Sequence, residues 1–206
     1  MKNNKVCSII FDLGGVLIDW NPDYVFLDVF KGNVHKMNWF YKNICTVNWN
    51  ENQDAGYPIS RATEEKVIEF PEYEKLIRMY YDRWDEMLKD PIPGTLDILK
   101  KLVLSKKYKI YALTNWSSET FPKALKKFEF LKWFDGIIVS GEEKTRKPYR
   151  KIYEITINRF NLEPNKTLFI DDNISNIEAA KKLFINSIHF KSPKQLIKDL
   201  KNMSIL

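Results

Sequence analysis

Residues 5–20 read Lys-Val-Cys-Ser-Ile-Ile-Phe-Asp-Leu-Gly-Gly-Val-Leu-Ile-Asp-Trp, an apolar run that ends in an aspartate and two glycines. The run over residues 6–11 is almost entirely apolar, which predicts a strand buried on both faces. Asp12 ends the run, and Gly14 and Gly15 allow a tight turn and a close approach of backbone to an anion. A carboxylate at the end of a buried strand is costly unless a cation or several donors meet it. The stretch therefore predicts a parallel strand with a binding site at its carboxyl end.

Strands alternate with helices over most of the chain. Runs rich in Val, Ile, Phe and Tyr predict five strands, over residues 5–11, 108–113, 136–139, 167–170 and 187–190. Apolar spacing of three and four residues predicts helices between and after them, over residues 95–104, 121–130, 148–160, 175–184 and 193–203. Such alternation is typical of a doubly wound α/β fold, and we predict a parallel sheet with strand order 3-2-1-4-5.

One long interval interrupts this alternation. Residues 18–92 contain no convincing strand, and helical spacing recurs in four segments, residues 23–31, 36–44, 60–70 and 72–88. We predict a helical cap over residues 18–92, inserted into a catalytic α/β core made of residues 1–17 and 93–206. Within the cap, we interpret the polar residues 47–53 with Trp49 as a loop that could serve as a substrate lid, which Trp116 would face from the core. For either tryptophan we favour the ordinary explanation, in which the loop simply packs and the indole is buried.

Charge and cysteine content restrict the partners. The 206-residue chain has a net charge of +6, divided into −5 over residues 18–92 and +11 over the remainder. No basic helix or aromatic–basic surface accompanies this excess, so we expect no nucleic-acid partner.

The apolar run over residues 6–11 is too short for a signal peptide or a membrane span, so we expect no membrane partner. Two cysteines, Cys7 and Cys45, cannot form a disulfide framework, which favours the cytoplasm, and we expect Cys7 to be buried.

Polar residues follow three further predicted strands. The second strand ends in Thr114 and Asn115, and the fourth in the adjacent carboxylates Asp171 and Asp172. Carboxylates without a nearby His or Cys suit Mg²⁺ and argue against zinc. After the third strand, Lys147 precedes Pro148, which we expect in the first turn of the next helix, where the lysine would add a charge to the helix dipole. In the order 3-2-1-4-5, these side chains converge with Asp12 at the switch point of the sheet.

Each of these residues also has an ordinary structural explanation. An aspartate before two glycines is often a turn former, and Asp172 with Asn173 can cap the following helix. Thr114 can be an ordinary strand end, and Lys147 one of many solvated lysines. Their joint occurrence at successive strand ends favours a functional site.

The motifs resemble those of the haloacid dehalogenase-like hydrolases, in the subgroup with a helical cap after the first strand and with sugar-phosphatase-like members. The matching segments are Phe-Asp12-Leu-Gly-Gly-Val-Leu-Ile-Asp19-Trp, Ala-Leu-Thr114-Asn115-Trp, Arg-Lys147-Pro148 and Phe-Ile-Asp171-Asp172-Asn-Ile-Ser-Asn. The resemblance implies that Asp12 is both the nucleophile and a Mg²⁺ ligand. It also implies a group that holds the transferring phosphoryl, and this group comprises Thr114, Asn115 and Lys147. It further implies that Asp172, with Asp171 beside it or acting through water, and the carbonyl of Gly14 complete the protein ligands of the metal.

The resemblance implies a Mg²⁺-dependent phosphatase that hydrolyses a small phosphorylated metabolite, such as a sugar phosphate, through an aspartyl-phosphate. The sequence departs from the family pattern at Gly14, where the family's phosphatases usually carry a second aspartate as general acid and base. Asp19 is the nearest later carboxylate. Two alternatives remain open: a 2-haloacid dehalogenase-type hydrolase, whose chemistry needs no metal, and a weakly active binding or regulatory module that lacks the acid.

Overall fold

A five-stranded parallel sheet is the centre of the computed structural model, which describes residues 5–206. Residues 1–4 of the predicted core segment lie outside the described residues. In chain order the strands are β1 (Ser8–Phe11), β2 (Ile18–Trp20), β3 (Leu88–Pro91), β4 (Lys109–Thr114), β5 (Gly136–Val139), β6 (Thr167–Asp171) and β7 (Asn186–His189). The sheet has the order β5-β4-β1-β6-β7 with every pair parallel, so the predicted order is confirmed.

Most of the helices lie in the segments where the apolar spacing predicts them. They are α1 (Asp23–Val29), α2 (Val34–Asn43), α3 (Val47–Asp54), α4 (Ile59–Glu69), α5 (Glu74–Asp82), α6 (Pro93–Ser105), α7 (Phe121–Lys127), α8 (Ser140–Glu143), α9 (Arg150–Arg159), α10 (Ile174–Lys181) and α11 (Pro193–Asn202). None of the helices in residues 5–206 combines the length and the apolar character that crossing a bilayer requires.

Side chains alternate along β1 and so contribute to two apolar layers. Ile9 and Phe11 belong to the larger cluster, which α6, α7 and α11 cover, whereas Ile10 faces the cluster covered by α9 and α10. This is the sandwich expected of a doubly wound fold. Cys7 is exposed, contrary to the prediction, because β1 begins only at Ser8 and Cys7 lies before the covered part of the sheet.

Two short strands join the helical insertion to the sheet. β2 and β3 pair antiparallel, with Ile18 opposite Pro91 and Trp20 opposite Leu88. The prediction that residues 18–92 contain no strand is therefore wrong. The strands have three and four residues and lie about 70 positions apart, so neither has a run long enough to show a strand pattern. Their pairing brings the two ends of the α1–α5 insertion together.

Residues 47–53 form helix α3 rather than the predicted lid loop. The Thr46 hydroxyl accepts a hydrogen bond from the Trp49 N–H at 3.1 Å and caps the helix. Trp49 is buried against Tyr80, with ring centroids 5.3 Å apart, and its indole N–H donates to the Ala62 carbonyl. The indole thus belongs to the core of the insertion. The mostly polar sequence of α3 carries too little apolar periodicity to predict a helix.

Candidate active site

The carboxyl ends of three neighbouring strands bring polar residues to one edge of the sheet. Asp12 follows β1, Thr114 ends β4 and Asp171 ends β6, and β1 lies between the other two strands. Their side chains are nearly or completely buried. The predicted convergence at the switch point of the sheet is therefore present in the backbone topology.

Lys147 links two of these carboxylates. Its Nζ lies 2.8 Å from Asp12 Oδ1 and 2.7 Å from Asp171 Oδ2, and its side chain is fully buried. Burial by itself lowers the pKa of Lys147, but the carboxylates of Asp12 and Asp171 outweigh it and raise that pKa above its ordinary value. Lys147 therefore carries its charge in the closed interior of the site.

The backbone of Lys147 is held by Asn115 and not by a helix. The Asn115 amide donates to the Lys147 carbonyl at 3.0 Å and accepts from the Lys147 N–H at 2.9 Å. The expectation that Pro148 lies in the first helical turn is wrong, because α9 begins at Arg150 with Tyr149 as its N-cap. Residues 146–149 form a turn closed by a hydrogen bond from the Tyr149 N–H to the Arg146 carbonyl. Lys147 thus precedes the helix by three residues.

Asp171 is engaged by protein donors, whereas Asp172 is exposed. Besides Lys147, Asp171 accepts hydrogen bonds from the backbone N–H of Asn173 at 2.8 Å and from the Asn176 amide at 3.0 and 3.1 Å. Within residues 5–206 the carboxylate of Asp172 accepts a hydrogen bond from its own backbone N–H and none from another residue. Of the two adjacent aspartates, Asp172 thus has the carboxylate that is open to an exogenous ligand.

Three carboxylates gather beside one lysine. Oxygens of Asp12, Asp171 and Asp172 lie within 4.8 Å of one another. Burial raises the pKa of Asp12 well above its usual value; Lys147 opposes this increase, and the neighbouring aspartates add to it. A cation among the three carboxylates would offset this cost. Because the donors are all oxygens, they fit a hard divalent cation such as Mg²⁺.

The two glycines after Asp12 differ in their surroundings. Gly15 has φ +72°, and a Cβ there would overlap the carboxylate of Asp172, so only glycine permits this approach. A Cβ at Gly14 would meet nothing within 4 Å. Gly14 instead borders a cavity of about 80 Å³, whose other lining residues are Trp20, Asn50, Asp54, Trp84, Asn115 and Trp116.

This cavity lies between the insertion and the sheet edge. A second cavity of about 330 Å³ shares Trp20, Asn50, Asp54 and Asn115 with it, so the two are adjacent. Trp116 lines the first cavity together with Asn50 and Asp54 of α3, the helix found in place of the predicted lid loop. Asp19, in contrast, lines neither cavity, and its carboxylate accepts a hydrogen bond from the Tyr24 hydroxyl at 2.6 Å.

Comparison with known proteins agrees with this geometry. A family model described as haloacid dehalogenase-like hydrolase matches residues 9–190. The chain belongs to this family. It is 27% identical over 188 residues to a phosphorylated carbohydrates phosphatase of Thermotoga maritima, covering 88% of this hydrolase and 83% of the relative. It is 24% identical over 186 residues to a sesquiterpene phosphatase of Aspergillus oryzae, covering 88% of each chain.

The fold of the hydrolase is also found among solved structures. One is a haloacid dehalogenase family enzyme of Bacteroides thetaiotaomicron, crystallised with magnesium and inorganic phosphate. The two chains superpose with a TM-score of 0.65 at 22% identity, over 90% of this chain and 94% of that one. At this identity the likeness shows the shared fold.

Several residues of the site were not assigned a role from the sequence. Asn176 ends the fourth quoted motif, and its distance of five residues from Asp171 is the signal that could have assigned it to this carboxylate. Arg146 and Asp54 carry no comparable sequence signal, because their partners lie far away in the chain. Arg146 Nη2 pairs with Glu51 of α3 at 2.8 Å.

Proposed function

We propose that this hydrolase is a Mg²⁺-dependent phosphatase acting on small phosphorylated metabolites, with phosphorylated carbohydrates as the favoured class. The observation that carries the proposal is the buried Lys147 between Asp12 and Asp171, with Asp172 beside them. The name of the Thermotoga maritima relative supports the substrate class. The acidic cluster argues against the dehalogenase alternative, because displacement of halide by a carboxylate needs no metal.

Asp12 is the proposed nucleophile. Its carboxylate attacks the phosphorus of the bound ester, the bond from phosphorus to the ester oxygen breaks, and the alcohol leaves. Water then hydrolyses the resulting aspartyl-phosphate, which releases inorganic phosphate and regenerates the carboxylate. Lys147, 2.8 Å from Asp12, orients the nucleophile and neutralises charge on the phosphoryl oxygens. The Thr114 hydroxyl binds a further phosphoryl oxygen. Since the Asn115 amide is occupied by Lys147, the Asn115 backbone N–H is the group we assign to the substrate.

Asp12, Asp172 and the Gly14 carbonyl are the residues proposed to hold Mg²⁺. Asp171 acts beside them or through water, because its oxygens already accept hydrogen bonds from Asn173, Asn176 and Lys147. The ion, when bound, supplies positive charge to the phosphoryl group. The protein leaves the carboxylate of Asp172 accessible to the ion. Gly15 contributes to this because a side chain at that position would overlap the carboxylate.

The two adjacent cavities are the proposed position of the leaving group. The indole rings of Trp20 and Trp116 line the smaller cavity. Their faces would pack against a bound leaving group, and aromatic faces suit the apolar faces of a carbohydrate. Residues 18–92 would then be a cap over a core of residues 1–17 and 93–206, and we assign the enzyme to the cytoplasm.

The direct test is phosphate release from a panel of phosphorylated carbohydrates and other phosphorylated metabolites, with Mg²⁺ and with chelator. We expect turnover that requires Mg²⁺ and that is lost in Asp12→Ala. Undiminished turnover by Asp12→Ala would refute the mechanism, and absence of turnover across the panel would favour the binding-module alternative. Chloride release from a 2-haloacid in the presence of chelator would favour the dehalogenase instead.

A further inference from the structure

Release of an alcohol from a phosphate ester requires a proton for the leaving oxygen. Gly14 has no side chain to supply it. Lys147 is fully buried and paired with Asp12 and Asp171, so it is committed to the nucleophile's side of the site. A proton donor must therefore come from another element that faces the cavity beside Gly14.

Asp54 is the acidic residue that lines this cavity. It is the last residue of α3 and borders both cavities, together with Asn115. No other aspartate or glutamate of residues 5–206 lines the cavity that Gly14 borders. Helix α3 thus places an acidic residue at the cavity that Gly14, which has no side chain, borders.

Hydrogen bonds fix the end of α3 against the core. Asn50 donates to Asp54 Oδ2 at 3.0 Å, and the Tyr81 hydroxyl orients Asn50 by donating to its Oδ1 at 3.0 Å. The Ser140 hydroxyl donates to the Asp54 carbonyl and accepts from the Trp116 N–H at 2.8 Å. Asp54 is therefore tied to the loop that carries Asn115, which positions it relative to the site.

The surroundings of Asp54 suit a group that both gives and takes a proton. Burial is the main cause that raises the pKa of Asp54, to about 7. A hydrogen bond from the Ser117 backbone lowers this pKa, the charge of Glu51 raises it, and the charge of Arg146 lowers it. Glu51 and Arg146 pair with each other at 2.8 Å, so their charges largely offset. Both protonation states are then populated near neutral pH, as an acid–base catalyst requires.

We propose that Asp54 is the general acid and base of the hydrolase, acting from the cap across the cavity beside Gly14. The assignment rests on the proposed phosphatase function. In the first step Asp12 forms a bond to phosphorus, the bond from phosphorus to the leaving oxygen breaks, and the proton of Asp54 moves to that oxygen. The products are the alcohol, the aspartyl-phosphate and the Asp54 carboxylate.

The second step restores both aspartates. Asp54 takes a proton from water as the water oxygen bonds to phosphorus, and the bond from phosphorus to Asp12 breaks. Inorganic phosphate leaves, Asp12 is again a carboxylate, and Asp54 is again protonated. One water molecule is consumed in each cycle, and no other reactant is needed.

The test compares two esters in Asp54→Asn. The first is p-nitrophenyl phosphate, whose leaving group departs without a proton, and the second is the best phosphorylated carbohydrate of the panel. We expect kcat/KM for the carbohydrate ester to fall about 10²–10⁴-fold and that for p-nitrophenyl phosphate to fall less than tenfold. Asp82→Asn is the matched control, since Asp82 is the exposed last residue of α5 and should leave both values unchanged.

The comparison separates catalysis from folding, because a loss of folded enzyme lowers both values equally. Equal losses with the two esters, or no loss with either, would overturn the role of Asp54. No turnover of either ester by the parent enzyme would instead count against the phosphatase function. Asp54→Asn/Gly14→Asp should regain at least tenfold on the carbohydrate ester, since a Cβ at Gly14 has open space. A folded double variant no better than Asp54→Asn would also contradict the proposal.

Discussion

Gly14 and Gly15 are adjacent but respond differently to the same substitution. Gly15→Ala forces a side chain into a backbone conformation with φ +72° and into the carboxylate of Asp172. We expect it to lower the free energy of unfolding by about 1–3 kcal/mol more than Gly14→Ala does. Urea denaturation of both variants measures the difference. Equal stabilities would show that the close approach of Gly15 to Asp172 is not part of the fold.

Residues at the strand ends could be predicted from the sequence, whereas residues that approach from other elements could not. Asp12, Thr114 and Asp171 each close an apolar run, so the position and polarity of each mark a site. Asp54 lies 42 positions after Asp12, in a polar segment, and only packing of the helical insertion brings it to the cavity. Asn115 is intermediate between these two groups of residues. Its place after a strand follows from the sequence, but the hydrogen bonds of its amide to the Lys147 backbone do not.

Helix α3 contacts the core through the ion pair of Glu51 and Arg146. The Arg146 side chain is 9% exposed and that of Glu51 is 30% exposed, so water screens the pair only in part. A double-mutant cycle with Glu51→Gln and Arg146→Gln should give a coupling energy of about 1–2 kcal/mol in urea denaturation. The pair would then contribute to the placement of α3 over the site.

The matched control is the pair of Arg61 and Glu65 on α4. Their side chains are 69% and 52% exposed, and a cycle with Arg61→Gln and Glu65→Gln should give about 0.3–0.5 kcal/mol. A coupling for Glu51 and Arg146 no larger than this control would show that the pair does not hold α3 to the core.

Strands and helices with a long apolar pattern can be predicted from the sequence, whereas short or mostly polar strands and helices cannot. The five sheet strands and their order follow from apolar runs with helical segments between them. The β2–β3 pair escapes prediction because its stability comes from pairing across the whole insertion rather than from local sequence. Helix α3 escapes because its polar face dominates its sequence, although the Thr46 cap is a signal for its start.

For the whole molecule, the gathering of three carboxylates predicts that Mg²⁺ stabilises the fold. An ion that binds only the folded state at 100 times its Kd adds about 2.7 kcal/mol. For a chain of this size we expect Tm to rise by about 5–10 °C with Mg²⁺ and to return with chelator. Asp172→Asn should lose most of this rise, whereas Asp19→Asn should keep it. A rise that is the same in both variants would place the ion elsewhere.

The charge of the whole molecule takes its meaning from the fold. The excess of +11 lies outside residues 18–92, in the segments that contain the sheet, while the insertion carries −5. A basic body around the proposed phosphatase site would favour the approach of small anions. The net charge alone could not distinguish attraction of small anions from nucleic-acid binding. That distinction depends on the polar residues that the fold brings together at the carboxyl ends of the strands.

The proposed role of Asp12 as the nucleophile of a phosphatase can be measured as kcat/KM for phosphate release. The assay compares the parent enzyme, Asp12→Asn and Asp19→Asn on the best substrate of the panel, with saturating Mg²⁺. We expect Asp12→Asn to lose at least about 10³-fold, because Asn supplies no carboxylate to attack phosphorus, and Asp19→Asn to stay within about threefold of the parent. Phosphate release by Asp12→Asn at the rate of the parent enzyme would show that Asp12 is not the nucleophile.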